Sequence, residues 1–211
     1  MKKLVLIITL LLMSTLSVFA NILPSTSNDI PNNSIGMYQV GQRIVVHAEA
    51  NSDSKIVFDR EVNYSMMLGA KFDNMFGVLL PQKELGFVYA TDYDEDWVEV
   101  IYDKTRNLKG WAHKEDDFQF LPWITFYNMY GRKYGLLQLK NSPLGVNDIR
   151  TQPNIDSQLV GKIVRPKQIR LTSIEGNWIL VSILDVTSYT YTGYIQWRNT
   201  EGQYYLFPDI K

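Results

Sequence analysis

The stretch VHAEANSDSKIVF (residues 46–58) returns as IRTQPNIDSQLVG (residues 149–161). At a spacing of 103, Asn51 matches Asn154, Asp53 matches Asp156, Ser54 matches Ser157 and Val57 matches Val160, while Ile56 and Leu159 are alike in kind. Each copy is followed by an acidic turn and a tryptophan that opens an apolar strand. These are Asp96-Trp97-Val98-Glu99-Val100 and Glu175-Gly176-Asn177-Trp178-Ile179-Leu180-Val181. A glycine-aromatic pair comes next in both, Gly110-Trp111 and Gly193-Tyr194. An internal repeat fixes the architecture before any other feature, because each copy must form one structural unit.

The copies are unequal. Their spacing is 103 at the opening loop, 81 at the tryptophan and 83 at the glycine, so the first copy carries about 22 extra residues within 59–91. This insertion holds Met66, Met67, Phe72, Met75, Phe76, Val78, Leu79 and Leu80. An insertion this apolar does not read as a solvated loop: it adds structure to the core, or it covers a groove or binds a partner.

Short β-branched and aromatic runs split by turn residues fill both copies and predict strands, among them 43–46, 84–90, 97–102, 110–113, 136–139, 169–171, 178–183 and 189–197. Between the copies the rhythm changes. Trp123, Phe126, Tyr127, Tyr130 and Tyr134 share one face of a helix over 121–134, with Pro122 suited to its first turn and Gly131 placed near its end. That face packs between two domains or stands exposed as a platform for a partner. The partner-binding candidates are therefore Met66, Met67, Phe72 and Phe76 of the insertion, with Trp123 and Tyr127 of the helix.

The repeat resembles the bacterial SH3-like domain, a small, partly open β-barrel common in exported envelope proteins. The resemblance rests on Ile149-Arg150-Thr151-Gln152-Pro153-Asn154-Ile155-Asp156-Ser157 as the opening motif, Gly110-Trp111-Ala112 and Gly193-Tyr194-Ile195 as closing motifs, and Trp97 and Trp178 before the apolar strands. The first copy departs from the pattern, with His47 in place of Arg150 and Ala50 in place of Pro153. The resemblance implies a mainly β fold of two small barrels, 37–120 with the insertion at 59–91, and 135–211, joined by the helix. It also implies non-enzymatic binding of a cell-wall peptide or glycan, peptidoglycan above all, or of another envelope protein. The ligand-binding candidates are Arg150, Tyr189, Tyr191, Trp197 and Tyr204. Tyr189 and Tyr191 alternate onto one face, which stacks on a ligand if outward and joins the core if inward.

The N-terminus points to export. Lys2 and Lys3, the apolar run from Leu4 to Leu12 and Val18-Phe19-Ala20 form a signal-peptide pattern over 1–20, with cleavage expected after Ala20. The apolar run is too short to span a bilayer comfortably, so no transmembrane helix is expected after cleavage. Residues 21–36, rich in Asn, Ser and Pro, read as a flexible leader. The expected location is periplasmic or secreted.

Without Lys2 and Lys3 the chain has 19 basic against 22 acidic residues, which argues against a protein that tracks nucleic-acid phosphates. It has no cysteine, which removes disulfides and thiol catalysis. His47 and His113 lack the spacing of a zinc site. In Asp92-Tyr93-Asp94-Glu95-Asp96 the glycine an EF-hand requires would fall on Trp97, so the run reads as an acidic turn. No Gly-x-Ser-x-Gly pattern flags a nucleophile. No cofactor is expected.

Overall fold

The structure, a computed structural model, describes residues 21–68, 73–116, 119–163, 166–185 and 189–210. The expected signal peptide over 1–20 lies outside the described residues, as does Phe72. Among the described residues, no helix is long and apolar enough to cross a membrane.

The chain is mainly β. The first half holds β1 (Gly36–Val40), β2 (Arg43–His47), β3 (Ile56–Glu61), β4 (Val78–Leu80), β5 (Leu85–Tyr93), β6 (Trp97–Asp103), β7 (Leu108–His113) and β8 (Phe120–Pro122). The second holds β9 (Leu136–Gln138), β10 (Asp148–Arg150), β11 (Leu159–Lys162), β12 (Pro166–Glu175), β13 (Trp178–Asp185), β14 (Thr190–Gln196) and β15 (Leu206–Pro208). The sheet orders are β3-β2-β7-β6-β5-β1-β8, with β4 beside β5, and β11-β10-β14-β13-β12-β9-β15. Removing β4, which belongs to the insertion, leaves the two orders identical.

The repeat holds at the level of single residues. His47 pairs with Trp111, and its counterpart Arg150 pairs with Tyr194. Each opening strand slips by one residue at the same place, between Val46 and His47 and between Ile149 and Arg150. The matched serines explain why the loop sequence recurs. The Ser54 hydroxyl accepts the Glu49 amide at 2.9 Å, and the Ser157 hydroxyl accepts the Gln152 amide at 3.3 Å. Gly110 and Gly193 recur because the opening strand crosses directly over them. A Cβ on Gly110 would lie 2.6 Å from the His47 carbonyl oxygen, and one on Gly193 would lie 2.6 Å from that of Arg150.

Neither sheet closes into a barrel. Both remain open paths, from β3 to β8 and from β11 to β15. The closing-side strands β8 and β15 are three residues long and end in Pro122 and Pro208, which have no N–H to extend a ladder.

A helix of mixed pitch joins the halves: α1 (Trp123–Phe126), a π-helical turn (Tyr127–Gly131) and α2 (Arg132–Tyr134). It runs past Gly131 and stops at Gly135, whose φ of 84° suits glycine. Its aromatic face packs inward. Phe126 and Tyr130 meet Phe87 of β5 edge-on, while Tyr127 meets Trp197 at 4.5 Å and Trp123 meets Tyr204 at 5.0 Å between ring centroids. One apolar cluster therefore runs from Met37, Phe87 and Tyr89 through the helix to Ile179, Ile195 and Phe207. A second cluster, with Tyr38, Val46, Val88, Val100 and Phe76, lies within the first half alone.

Residues 21–35 are not a flexible leader but a strap across both halves. Ile22 exchanges backbone hydrogen bonds with Leu79, Ser27 donates to the Lys140 carbonyl, and Ile35 donates to that of Ala90. Ile30 is buried, and the Ser34 carbonyl accepts both the Trp123 indole N–H at 2.8 Å and the Tyr204 hydroxyl at 3.1 Å. Composition suggested a linker, but buried Ile30 and the backbone partners on both halves anchor it.

Candidate functional site

The structure buries most of the expected contact residues. Trp197 and Tyr204 are fully enclosed, because the helix and β15 pack over them. Tyr191 leans on the same core, packed over Gly161, while Tyr189, one pair further out on that face, is exposed. Phe76, Trp123 and Tyr127 are also buried, so neither the helix face nor that part of the insertion is an open platform. Met75, Val78, Leu79 and Leu80 join them inside, so the stretch from Met75 to Leu80 is core. Of the insertion candidates, Met66 is 85% exposed and Met67 half-buried.

Arg150 has a defined structural task. Its guanidinium donates to the Ser157 carbonyl at 2.8 Å and pairs with Asp148 at 3.3 Å. In the first half His47 does the same work, with Nδ1 at 3.0 Å from the Ser54 carbonyl. Each residue latches its opening loop to the first strand. The substitution of His for Arg thus keeps the latch and changes what else the side chain presents.

What it presents is an aromatic surface. Cross-strand partners project to the same face, so β2, β7 and β6 align His47, Trp111 and Glu99 in one row and His113 with Trp97 in the next. Trp97 is held edge-on between the two histidines, at 5.3 Å from His47 and 5.1 Å from His113. Trp111 is half-buried beside it, and His113 is exposed. Glu99 is fixed by the Thr91 hydroxyl and by Lys109 at 3.4 Å.

The second half repeats this face with other side chains. Arg150, Tyr194 and Leu180 form one row, and Gln196 with Trp178 the next. All five are half-buried. The Tyr194 hydroxyl donates to Glu175 at 2.8 Å, and that bond to a carboxylate holds its proton on and raises its pKa. Each half therefore places two aromatic residues and a nitrogen-bearing side chain at equivalent positions, while the carboxylates differ: Glu99 of the first half stands where Leu180 stands in the second, and Glu175 lies at the end of β12.

Among the described residues no three or more His, Asp or Glu side chains converge as a metal site. The histidines each pack edge-on against Trp97. The acidic run 92–96 forms the turn between β5 and β6, with the Asp94 amide bonded to the Trp97 carbonyl at 2.8 Å.

A separate groove of about 690 Å³ opens at one end of the first sheet, between the β1–β2 turn and the insertion. Gln39, Gln42, Arg43, Glu61, Tyr64 and Glu84 line it. Tyr64 donates to the Val40 carbonyl at 2.6 Å, and burial, with the Glu84 carboxylate nearby, pushes its hydroxyl up to about 12.

The outer faces were missed as sites because their members lie 66 residues apart at most in each half and meet only once the register is known. The usable signal was the alternation of Lys109, Trp111 and His113 opposite Trp97 and Glu99. No protein-family model matches the chain, and no curated protein matches it.

Proposed function

We propose that the chain is an exported, non-enzymatic binding protein of the cell envelope that recognises peptidoglycan or its peptides. On this reading each half is a bacterial SH3-like domain. The opening loop latched by His47 or Arg150, the shared strand order and the glycine crossing all support that kinship.

The observation that carries the proposal is the equivalent outer face on both halves. Trp111 and the two histidines that cover buried Trp97 on one, and Trp178 and Tyr194 with Arg150 on the other, are suited to stacking on a sugar ring or peptide plane while polar groups at the side fix its orientation. The helix and strap lock the halves together, so a polymer that engages both faces gains avidity without reorganising the protein.

The test is sedimentation with purified peptidoglycan. The mature protein pellets with it, and the double variant Trp111→Ala, Tyr194→Ala stays in the supernatant while its melting temperature is retained. A protein that never pellets sinks the proposal. A second reading, a scaffold that docks another envelope protein on the insertion, is favoured by the exposure of Met66 at 85% and Leu68 at 45%. It predicts a stable co-purifying partner that is lost on Met66→Ser.

A further inference from the structure

We infer that the groove beside the insertion is a second binding site, which takes an amine-bearing chain such as a lysine side chain of a peptide. The inference is independent of the outer faces and starts from a backbone anomaly. Three described residues other than glycine have positive φ: Glu84, Asn107 and Asn141. Asparagine is the residue that tolerates this region best after glycine. Glutamate has no such excuse, and at φ 49°, ψ 41° it holds a strained conformation.

The fold supplies no structural reason for glutamate there. Residue 84 ends the 3₁₀ turn Pro81–Lys83, and its amide donates to the Pro81 carbonyl, a bond that glycine would make equally well. Among the described residues its carboxylate has no ion-pair partner. What the side chain does is stand in the lining of the groove.

The other charges agree. Glu61 lies in the same lining, close enough to Arg43 to favour its charge, yet among the described residues it forms no ion pair within 4.0 Å. Arg43 is the cation of the lining, and Asp59 already holds it through two bonds of 2.8 and 2.6 Å. The groove thus presents two carboxylates and no uncommitted cation. Gln39, Gln42 and Ser65 add neutral polar groups for a peptide backbone. Its volume of about 690 Å³ is in the range of sites that hold a few residues. The insertion provides the wall from Val62 to Ser65 and the Glu84 turn, and the second half has no such insertion.

The discriminating variant is Glu84→Gly, because glycine favours the observed backbone and keeps the fold while removing the carboxylate. The probe is an N-acetylated, C-amidated Ala-Lys-Ala tripeptide, followed by chemical shifts of the groove amides in the mature protein. Expected are shifts at Gln42, Tyr64 and Glu84, a five- to tenfold weaker affinity when the lysine is Nε-acetylated, and a similar loss in Glu84→Gly with an unchanged or higher melting temperature. Equal affinity for the acetylated and free peptides overturns the inference. So does full binding by Glu84→Gly, or a shift pattern confined to the outer faces. Pelleting with peptidoglycan through Trp111 and Tyr194 is unaffected by Glu84→Gly, so the two sites fail separately.

Discussion

Replacing Trp123 by alanine should destabilise both halves of the molecule at once. The indole is 2% exposed and touches Tyr89 from the first half and Tyr204 and Phe207 from the second. Truncating a buried tryptophan costs about 3–5 kcal/mol in transfer and cavity terms. The lost hydrogen bond to the Ser34 carbonyl adds little, because that oxygen still accepts from Tyr204. For a chain of this size about 4 kcal/mol lowers the melting temperature by about 8–16 °C. The five tryptophans make the halves separately visible, since Trp97 and Trp111 lie in the first and Trp178 and Trp197 in the second. With 5-fluorotryptophan incorporated, fluorine resonances of all four should disappear at one shared urea concentration, in the parent and at a lower value in Trp123→Ala. If the variant loses the Trp178 and Trp197 signals while those of Trp97 and Trp111 persist, the halves are independent and the shared cluster is not a common core.

Other outcomes follow from the repeat and its charges. Gly110→Ala and Gly193→Ala should each cost about 2 kcal/mol or more, since each new methyl meets a carbonyl oxygen 2.6 Å away; a denaturation midpoint unchanged in either variant contradicts the crossing. His47→Ala should cost about 1 kcal/mol and speed hydrogen exchange at the Ala48 amide, which is bonded to Lys55, while His47→Arg should restore protection; equal exchange in all three proteins rejects the latch. Burial alone would raise the Asp73 carboxyl, but Arg60 at 2.8 Å and the Met75 and Phe76 amides outweigh it and hold it below its ordinary 3.8. Its stabilising contribution is therefore present above that value and lost as pH falls through the folded one, and Asp73→Asn should flatten acid-induced destabilisation in that window. An acid profile that is identical in the variant removes the argument.

The repeat was legible because its matched residues carry geometry. Ser54 and Ser157 close the same loop, and Gly110 and Gly193 lie under the same strand, so identity at these points translated directly into equal registers. The helical spacing of Trp123, Phe126 and Tyr127 also gave a buried face between two units. The site was less legible. Tyrosine and tryptophan serve core and surface alike, and nothing local distinguishes enclosed Trp197 and Tyr204 from half-exposed Trp111 and Tyr194. The sheets stay open where their last strands, only three residues long, end in proline. The strap was hidden by its turn-rich composition, since its partners Leu79, Ala90 and Lys140 lie far along the chain.

That strap also sets an order of events. Ser27 bonds across 114 residues to the Asn141 carbonyl, and Tyr204 reaches back across 170 to Ser34. Such contacts require large loops to close before they return any energy, which slows a search dominated by distant pairings. The first residues of the described chain therefore find their places last, after both sheets exist to receive them. A nascent chain still lacking Lys140 and Tyr204 leaves Ser27 and Ser34 without these partners, so the strap cannot complete itself while the remainder is being made.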